Sequence, residues 1–345
     1  MSDWRIILST TRQWNPGDEF IAMGVERLLR QVVNVDSMAA WNRNPDLFID
    51  EWRDSTLRPD FLTNSLRDPA LLFSNLVVAA GSPEWCGGPM RRLYEEIAQK
   101  PDIPFLVVGA GGGSLPFRPT PLDEEVLRRK NTWISTRSEV LAQQINEYLG
   151  EEKAIPIPCP AFFSGCPSEL PSEGKNGRIG LIVQSTAVRN QSIGDQLYQQ
   201  ITDLLSKDSS GKIDIICFYQ DEYSRFQALF GNTHRVIYHY ASDRLLGILS
   251  RYNAIVSTRL HGAIGALSLG VPSRVICESE NQRITSTLCL FPHELLASLP
   301  VDDAISWAKQ QLDQTDTALP TGLLEFRNQT EATYLTLLRR QLNCS

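Results

Sequence analysis

The chain has 345 residues, of which 42% are hydrophobic and 21% charged, and a formal net charge of −7. Such a length exceeds one ordinary core and predicts two domains of roughly 150 residues each. The acidic balance speaks against a broad nucleic-acid-binding face, though a local basic pocket is compatible with it.

The opening stretch "MSDWRIILSTTRQW" lacks the basic start and long apolar segment of a secretion leader, the expectation for a cytoplasmic protein. Its apolar part, "WRIILST" (4–10), reads as a strand, as do "NLVVAA" (75–80), "PFLVVGA" (104–110) and "TWIST" (132–136). None approaches the ~20 apolar residues of a membrane helix, so no spanning segment is expected. Between them, "DEFIAMGVERLLRQVV" (18–33), "GPMRRLYEEIAQK" (88–100) and "SEVLAQQINEYLG" (138–150) read as helices. Ile21, Val25, Leu28, Leu29 and Val32 share one helical stripe. Asp18 and Ser138 stand where N-caps belong, and Gly150 marks a C-terminus.

Residues 151–177 carry prolines with Ser, Gly and Glu and read as a linker. A second series of strands follows: "RIGLIVQ" (178–184), "KIDIICFY" (212–219), "HRVIYHY" (234–240), "NAIVST" (253–258) and "SRVICE" (273–278). Helices are expected near 192–206, 221–230, 242–251, 261–270 and 281–290, with a closing helical segment from about 322. Repeated strand–helix units predict an α/β fold of two Rossmann-like domains facing a cleft. The expected boundaries are 1–150 for the first domain, 178–321 for the second, and 322–345 for a tail crossing back to the first. Seven cysteines are odd in number and scattered, and the four histidines show no metal-ligand spacing. Reduced thiols and no bound metal are expected.

In open parallel sheets, ligands bind beyond the carboxyl ends of the strands. After the first strand, Pro16 and Gly17 make a tight turn and Asp18 and Glu19 open the helix. Either this is a plain capped turn, or Asn15 and Asp18 bind sugar hydroxyls or supply a base. After "FLVVGA" the pattern is G-A-G-G-G-S from Gly109, with Ser114 in place of the third glycine of the dinucleotide fingerprint. Pro116 and Pro119 interrupt the helix that should receive a pyrophosphate, so no nicotinamide cofactor is expected. The glycines, Gly112 and Gly113 among them, let backbone approach a ligand or the facing domain closely. A second glycine-bearing turn, "AAGSPEWCGG" (79–88), holds Cys86 with no histidine near it in sequence. Neither turn is a hydrolase elbow or a P-loop. Arg137, directly after "TWIST", suits either a surface ion pair or a carboxylate or phosphate ligand.

The most informative stretch is "STRLHGAIGALSLGVPSRVI" (257–276). Arg259 and His261 are two residues apart at the end of a strand, so extended geometry points both to one side. Gly262 and Ala263 begin a helix whose first N–H groups are expected to face an incoming anion. A guanidinium, a titratable imidazole and a helix N-terminus thus converge, which reads as an anion site with an acid attached.

At these residues the chain resembles the polysaccharide pyruvyl transferase family. Besides the R-L-H-G element, the small-residue helix and the G-V-P stop, "NPGDEFI" is similar to the family's N-x-G-D-E element. The glycine turns at 79–88 and 109–114, the arginine-led helix "STRSEVLAQQINEYLG" and "CPAFF" follow in the family's order. The resemblance implies a GT-B-like fold and transfer of a pyruvyl group from phosphoenolpyruvate to a sugar, forming a cyclic ketal. No cofactor is implied beyond phosphoenolpyruvate as co-substrate, and the other partner is a sugar or glycan acceptor. It implies that Arg259, Leu260, His261 and Arg137 lie on the donor side, where Gly262 and Arg283 are also expected to contact the anion. Protonation of the donor methylene at neutral pH suits an imidazole, so His261 is the expected general acid, and Asp18 is the candidate acceptor-side base. Asn15, Gly17, Gly112 and Gly113 are expected on the acceptor side. A lipid-linked acceptor would require docking at a membrane without a spanning helix. Cys159 stands where the family has an aspartate, Arg283 where it often has a lysine, and Pro16 lies within N-x-G-D. Two other readings are compatible with these residues. One is a glycosyltransferase using a nucleotide sugar, for which Glu278 and Glu280 are the local candidates to bind a ribose. The other is a non-catalytic anion- or glycan-binding relative.

Overall fold

A computed structural model of the chain describes residues 3–11, 15–42, 73–81, 91–111, 117–167, 175–184, 194–278, 281–313 and 319–342. It holds two parallel sheets. The first has six strands: β1 (Trp4–Thr10), β2 (Val35–Asn42), β3 (Leu76–Ala80), β4 (Phe105–Ala110), β5 (Thr132–Thr136) and β6 (Ala154–Pro156). Their order is β2-β1-β3-β4-β5-β6. Helices α1 (Pro16–Arg30), α2 (Arg91–Ala98), α3 (Pro121–Leu127) and α4 (Glu139–Leu149) alternate with them. Strands β3, β4 and β5 are buried at every position. Their near-continuous apolar runs are what a parallel sheet covered on both faces requires.

The second sheet has five strands: β7 (Ile179–Ile182), β8 (Ile213–Cys217), β9 (Arg235–Tyr238), β10 (Ala254–Ser257) and β11 (Ser273–Val275), in the order β11-β10-β7-β8-β9. Its helices are α5 (Asp195–Lys207), α6 (Gln220–Phe230), α7 (Ser242–Leu249), α8 (Leu260–Ser268), α9 (Gln282–Leu288) and α10 (Val301–Leu312). Helix α11 (Leu323–Gln341) closes the chain. The strand order reverses between β10 and β7, which is the topological switch point where such sheets place their ligands.

The chain divides into two compact units. One comprises Met1–Trp14, Ile21–Pro160 and Asn328–Ser345; the other comprises Asn15–Phe20 and Ala161–Arg327. Most of α11 therefore belongs with the first sheet: Tyr334 donates to the Pro158 carbonyl at 2.9 Å and Gln31 to Glu331 at 2.7 Å. The first turn of α1 belongs with the second sheet.

The stretch expected as a linker is partly regular. Ala154–Pro156 is the sixth strand of the first sheet, and Pro160–Phe163 forms a turn of 3₁₀ helix. Strand β2 has no apolar alternation, its first six residues being exposed or half-buried, and is recognisable only from its pairing with β1. Helix α3 follows a run of prolines but uses them: Pro121 sits at its start, and Thr120 and Asp123 close a capping box.

Candidate functional site

The site is built around the carboxyl end of β10. Ser257 Oγ accepts from the Arg259 amide at 3.0 Å and donates to its carbonyl at 2.7 Å, turning the chain from strand into helix. Arg259 is the residue before the first turn of α8, with φ −105° and ψ 117°. Its carbonyl accepts from Gly262 and Ala263 at 3.0 and 3.3 Å. That corrects one expectation: the Gly262 and Ala263 amides are spent inside the helix. By helix geometry the outward-facing N–H groups are those of Leu260 and His261.

The Arg259 guanidinium is 9% exposed and already organised. It pairs with Glu222, which is 0% exposed. It also lies 4.3 Å from the ring centroid of Tyr219 and 5.7 Å from that of Phe218. Glu222 itself is fixed by the Phe218 and Tyr219 amides, which donate to its Oε2 at 3.1 and 3.2 Å. Glu222 thus neutralises much of the charge on Arg259. What remains for a ligand is a rigid array of N–H donors, with Nε buried and lacking an acceptor. Burial pushes the Tyr219 phenol above its ordinary range; Glu222 and Asp18 push the same way, against Arg259. Tyr219 therefore stays protonated as a neutral hydroxyl.

The start of α1 completes this arrangement. Asn15 caps the helix, its side-chain oxygen accepting from the Gly17 amide at 3.1 Å and its carbonyl from Asp18 at 3.0 Å. The helix begins at Pro16, so Asp18 lies inside its first turn and is not the cap expected from the sequence. Asn15 commits its amide oxygen to the helix. Asp18 is half-buried and within electrostatic range of Tyr219. Gly17 packs flat against His261: a methyl group there would lie 2.7 Å from Nδ1 and 3.0 Å from Cβ. Phe20, wholly buried, rests where Gly265 has no side chain and meets Phe218 edge-on at 6.0 Å.

The small residues of α8 have separate reasons. A Cβ on Gly262 would come within 2.7 Å of Ile182 and 2.8 Å of Ser257 Oγ, so this glycine seats the helix on the sheet. Leu260 is 7% exposed and packs inward. Arg283, in the first turn of α9, is exposed. Glu278 lies against Gly194, at the start of α5. Glu280, Gly112, Gly113, Ser114 and Cys86 lie outside the described residues.

In the other unit, Arg137 is 2% exposed, which removes the surface ion pair as an explanation. Its guanidinium presses against Gly111, where any side chain would collide with it. Gly109 is needed for two reasons: φ is +76°, and Pro160 occupies the place of a Cβ. Cys159 is 0% exposed. Among the described residues, no group of His, Cys, Asp or Glu could hold a metal ion, and no helix is long and apolar enough to cross a membrane.

Sequence reading missed Tyr219, Glu222 and Gln184. The signal for Glu222 was present as a carboxylate in the first turn of α6, but its pairing with Arg259, 37 positions away, is set by the neighbouring strands β8, β7 and β10.

Two Rossmann-like α/β units with an arginine–histidine pair at a strand end define a GT-B-like protein. A family model described as polysaccharide pyruvyl transferase matches residues 15–277, and the chain belongs to that family. A search of curated proteins finds no match. Among solved structures, a putative UDP-N-acetylglucosamine 2-epimerase from Listeria monocytogenes aligns with TM-score 0.56 at 10% identity, over 98% of both chains. The S. aureus MnaA–UDP structure aligns with TM-score 0.54 at 14% identity, over 99% of this chain and 98% of that one. The UDP-GlcNAc 2-epimerase from Methanocaldococcus jannaschii aligns with TM-score 0.52 at 13% identity, over 95% of this chain and 99% of that one. At such identities the likeness is one of fold.

Proposed function

We propose that this chain transfers a pyruvyl group from phosphoenolpyruvate to two hydroxyls of a sugar in a cytoplasmic polysaccharide precursor. The observation that carries this reading is the fixed pair Arg259–Glu222 beside His261 at the switch point of the second sheet. Arg259 and the start of α8 hold an oxyanion of the donor. His261 protonates the donor methylene as a sugar hydroxyl adds to the enol carbon. Phosphate then leaves, and a second hydroxyl takes its place to close the ketal. Of the two protons the diol gives up, one balances the new methyl group and the other leaves with phosphate. Asp18, half-buried near Tyr219, is the base that receives a hydroxyl proton. Arg137, buried against Gly111 in the other unit, is proposed separately as an anion ligand.

A nucleotide-sugar reaction is less well supported. The Glu278 carboxylate at the start of α5 would repel a diphosphate there. The test is calorimetric titration of the purified chain with phosphoenolpyruvate and, separately, with nucleotide sugars. Saturable phosphoenolpyruvate binding that weakens in Arg259→Ala supports the proposal; binding of a nucleotide sugar alone overturns it. His261→Gln then separates chemistry from binding: turnover should collapse while phosphoenolpyruvate affinity holds within a few-fold.

A further inference from the structure

Strands β7 and β10 run parallel, with Ile182 opposite Ser257. At the end of this ladder Thr258 N donates to the Ile182 carbonyl at 2.9 Å, and the Gln184 amide donates to the Thr258 side chain, Oγ1, at 2.8 Å. Gln184 is thereby anchored to Thr258, the residue directly before Arg259. Gln184 is 8% exposed and Arg259 9%. Each keeps one buried N–H group without an acceptor, Nε2 of Gln184 and Nε of Arg259.

An unpaired buried donor is costly, and folded proteins rarely leave two such donors at neighbouring positions. Here Nη2 of Arg259 pairs with Glu222 and the guanidinium face lies over Tyr219, and Nε is the buried donor without an acceptor. The point lies at the switch point of the sheet and at the N-terminal end of α8, where the helix dipole favours negative charge. We propose that Gln184 is a ligand-binding residue whose side-chain amide donates, alongside Arg259 Nε, to one oxyanion, either the carboxylate or the phosphate of the donor. This rests on the reading that Arg259 receives an oxyanion. It adds a recognition element that carries no charge and therefore chooses by geometry.

The test compares wild type with Gln184→Met, which keeps the volume and removes the donor, and Gln184→Glu, which places a like charge against the anion. Each is titrated with inorganic phosphate, pyruvate and phosphoenolpyruvate. Losing one hydrogen bond to a charged group predicts binding about tenfold weaker or more in Gln184→Met, and a larger loss in Gln184→Glu. Weakening confined to phosphate or to pyruvate identifies which oxyanion is held. The unfolding midpoint of Gln184→Met without ligand should not fall, because an unsatisfied amide has been removed; a purely structural glutamine would lower it. Unchanged affinities for every probe that wild type binds overturn the inference and leave the pyruvyl-donor reading standing. Phosphate bound by wild type without phosphoenolpyruvate overturns the donor reading, and the Gln184→Met effect on phosphate still decides this one. A wild-type chain that binds none of the three overturns both.

Discussion

Gly17 and His261 are in direct contact: the imidazole lies where a side chain at position 17 would be, 2.7 Å from Nδ1 to the place of a Cβ. The start of α1 is thus a wall for the histidine ring, and the glycine of the N-P-G-D-E stretch is needed for what it leaves empty.

Gly17→Ala should accordingly displace His261 without unfolding the chain. Both Nδ1 and the Cβ of His261 crowd the new methyl, so a rotation of the ring alone does not relieve it. Steady-state kinetics should show turnover reduced at least about tenfold, since misplacing a catalytic group by an ångström costs up to about a hundredfold. Phosphoenolpyruvate affinity by calorimetry should change less than about threefold, because Arg259 is untouched.

Glu222→Gln keeps the shape of the side chain but leaves the Arg259 charge buried without its counterion. Removing one partner of a buried pair destabilises by about 3–5 kcal/mol, and chemical denaturation should show a loss of that order. Phosphate or phosphoenolpyruvate should then raise the melting temperature more than it does in wild type, because the anion supplies the countercharge that Glu222 gave. An unchanged denaturation midpoint would remove Glu222 from the positioning role.

Arg259→Lys should behave as a loss of function. Lysine carries the charge but neither the planar fork that meets Glu222 nor the flat face that lies 4.3 Å over Tyr219. Donor binding should weaken by about tenfold or more, read by titration calorimetry.

Lys175 gives a pH-dependent prediction away from the site. Burial lowers its ammonium group from 10.5 to about 8, with Nζ donating to the Ser250 carbonyl at 3.1 Å. Between pH 8 and 10.5 the unfolded chain binds the proton that the folded chain has released, so stability rises with pH in that window. Lys175→Met should therefore be more stable than wild type at pH 7, and that advantage should shrink as pH climbs through the window. Denaturation midpoints for both chains at pH 7, 8.5 and about 10 measure it. A constant difference would mean that Lys175 carries no burial penalty.

Cys159 illustrates how far a resemblance reaches. Its side chain is wholly buried, in electrostatic range of Tyr334, whose hydroxyl is committed to the Pro158 carbonyl. Restoring the family's carboxylate as Cys159→Asp would bury a charge among groups already paired. A loss of about 2 kcal/mol or more in denaturation is expected. A variant as stable as wild type would show that the pocket still holds a donor for it.

The sequence by itself determined the alternation of strands and helices, because parallel strands buried on both faces must be short apolar runs and their helices must carry a stripe. It placed Arg259 and His261 together at one strand end, but the shared side expected of extended chain does not carry over, because α8 starts at Leu260 and His261 is already helical. It also marked the glycines and the R-L-H-G element, from which the family could be read. Only the tertiary structure decided what those residues touch. Glu222 reaches Arg259 because β7 separates β8 from β10 in the sheet, an order that no local pattern encodes. Gly17 meets His261 because the first turn of α1 belongs with the second sheet, although its sequence neighbours belong with the first. Gln184 comes to the end of β10 because β7 pairs with that strand, its amide meeting Thr258, 74 positions away. Periodicity is a property of neighbours along the chain, whereas pairing, countercharge and steric walls are properties of neighbours in space.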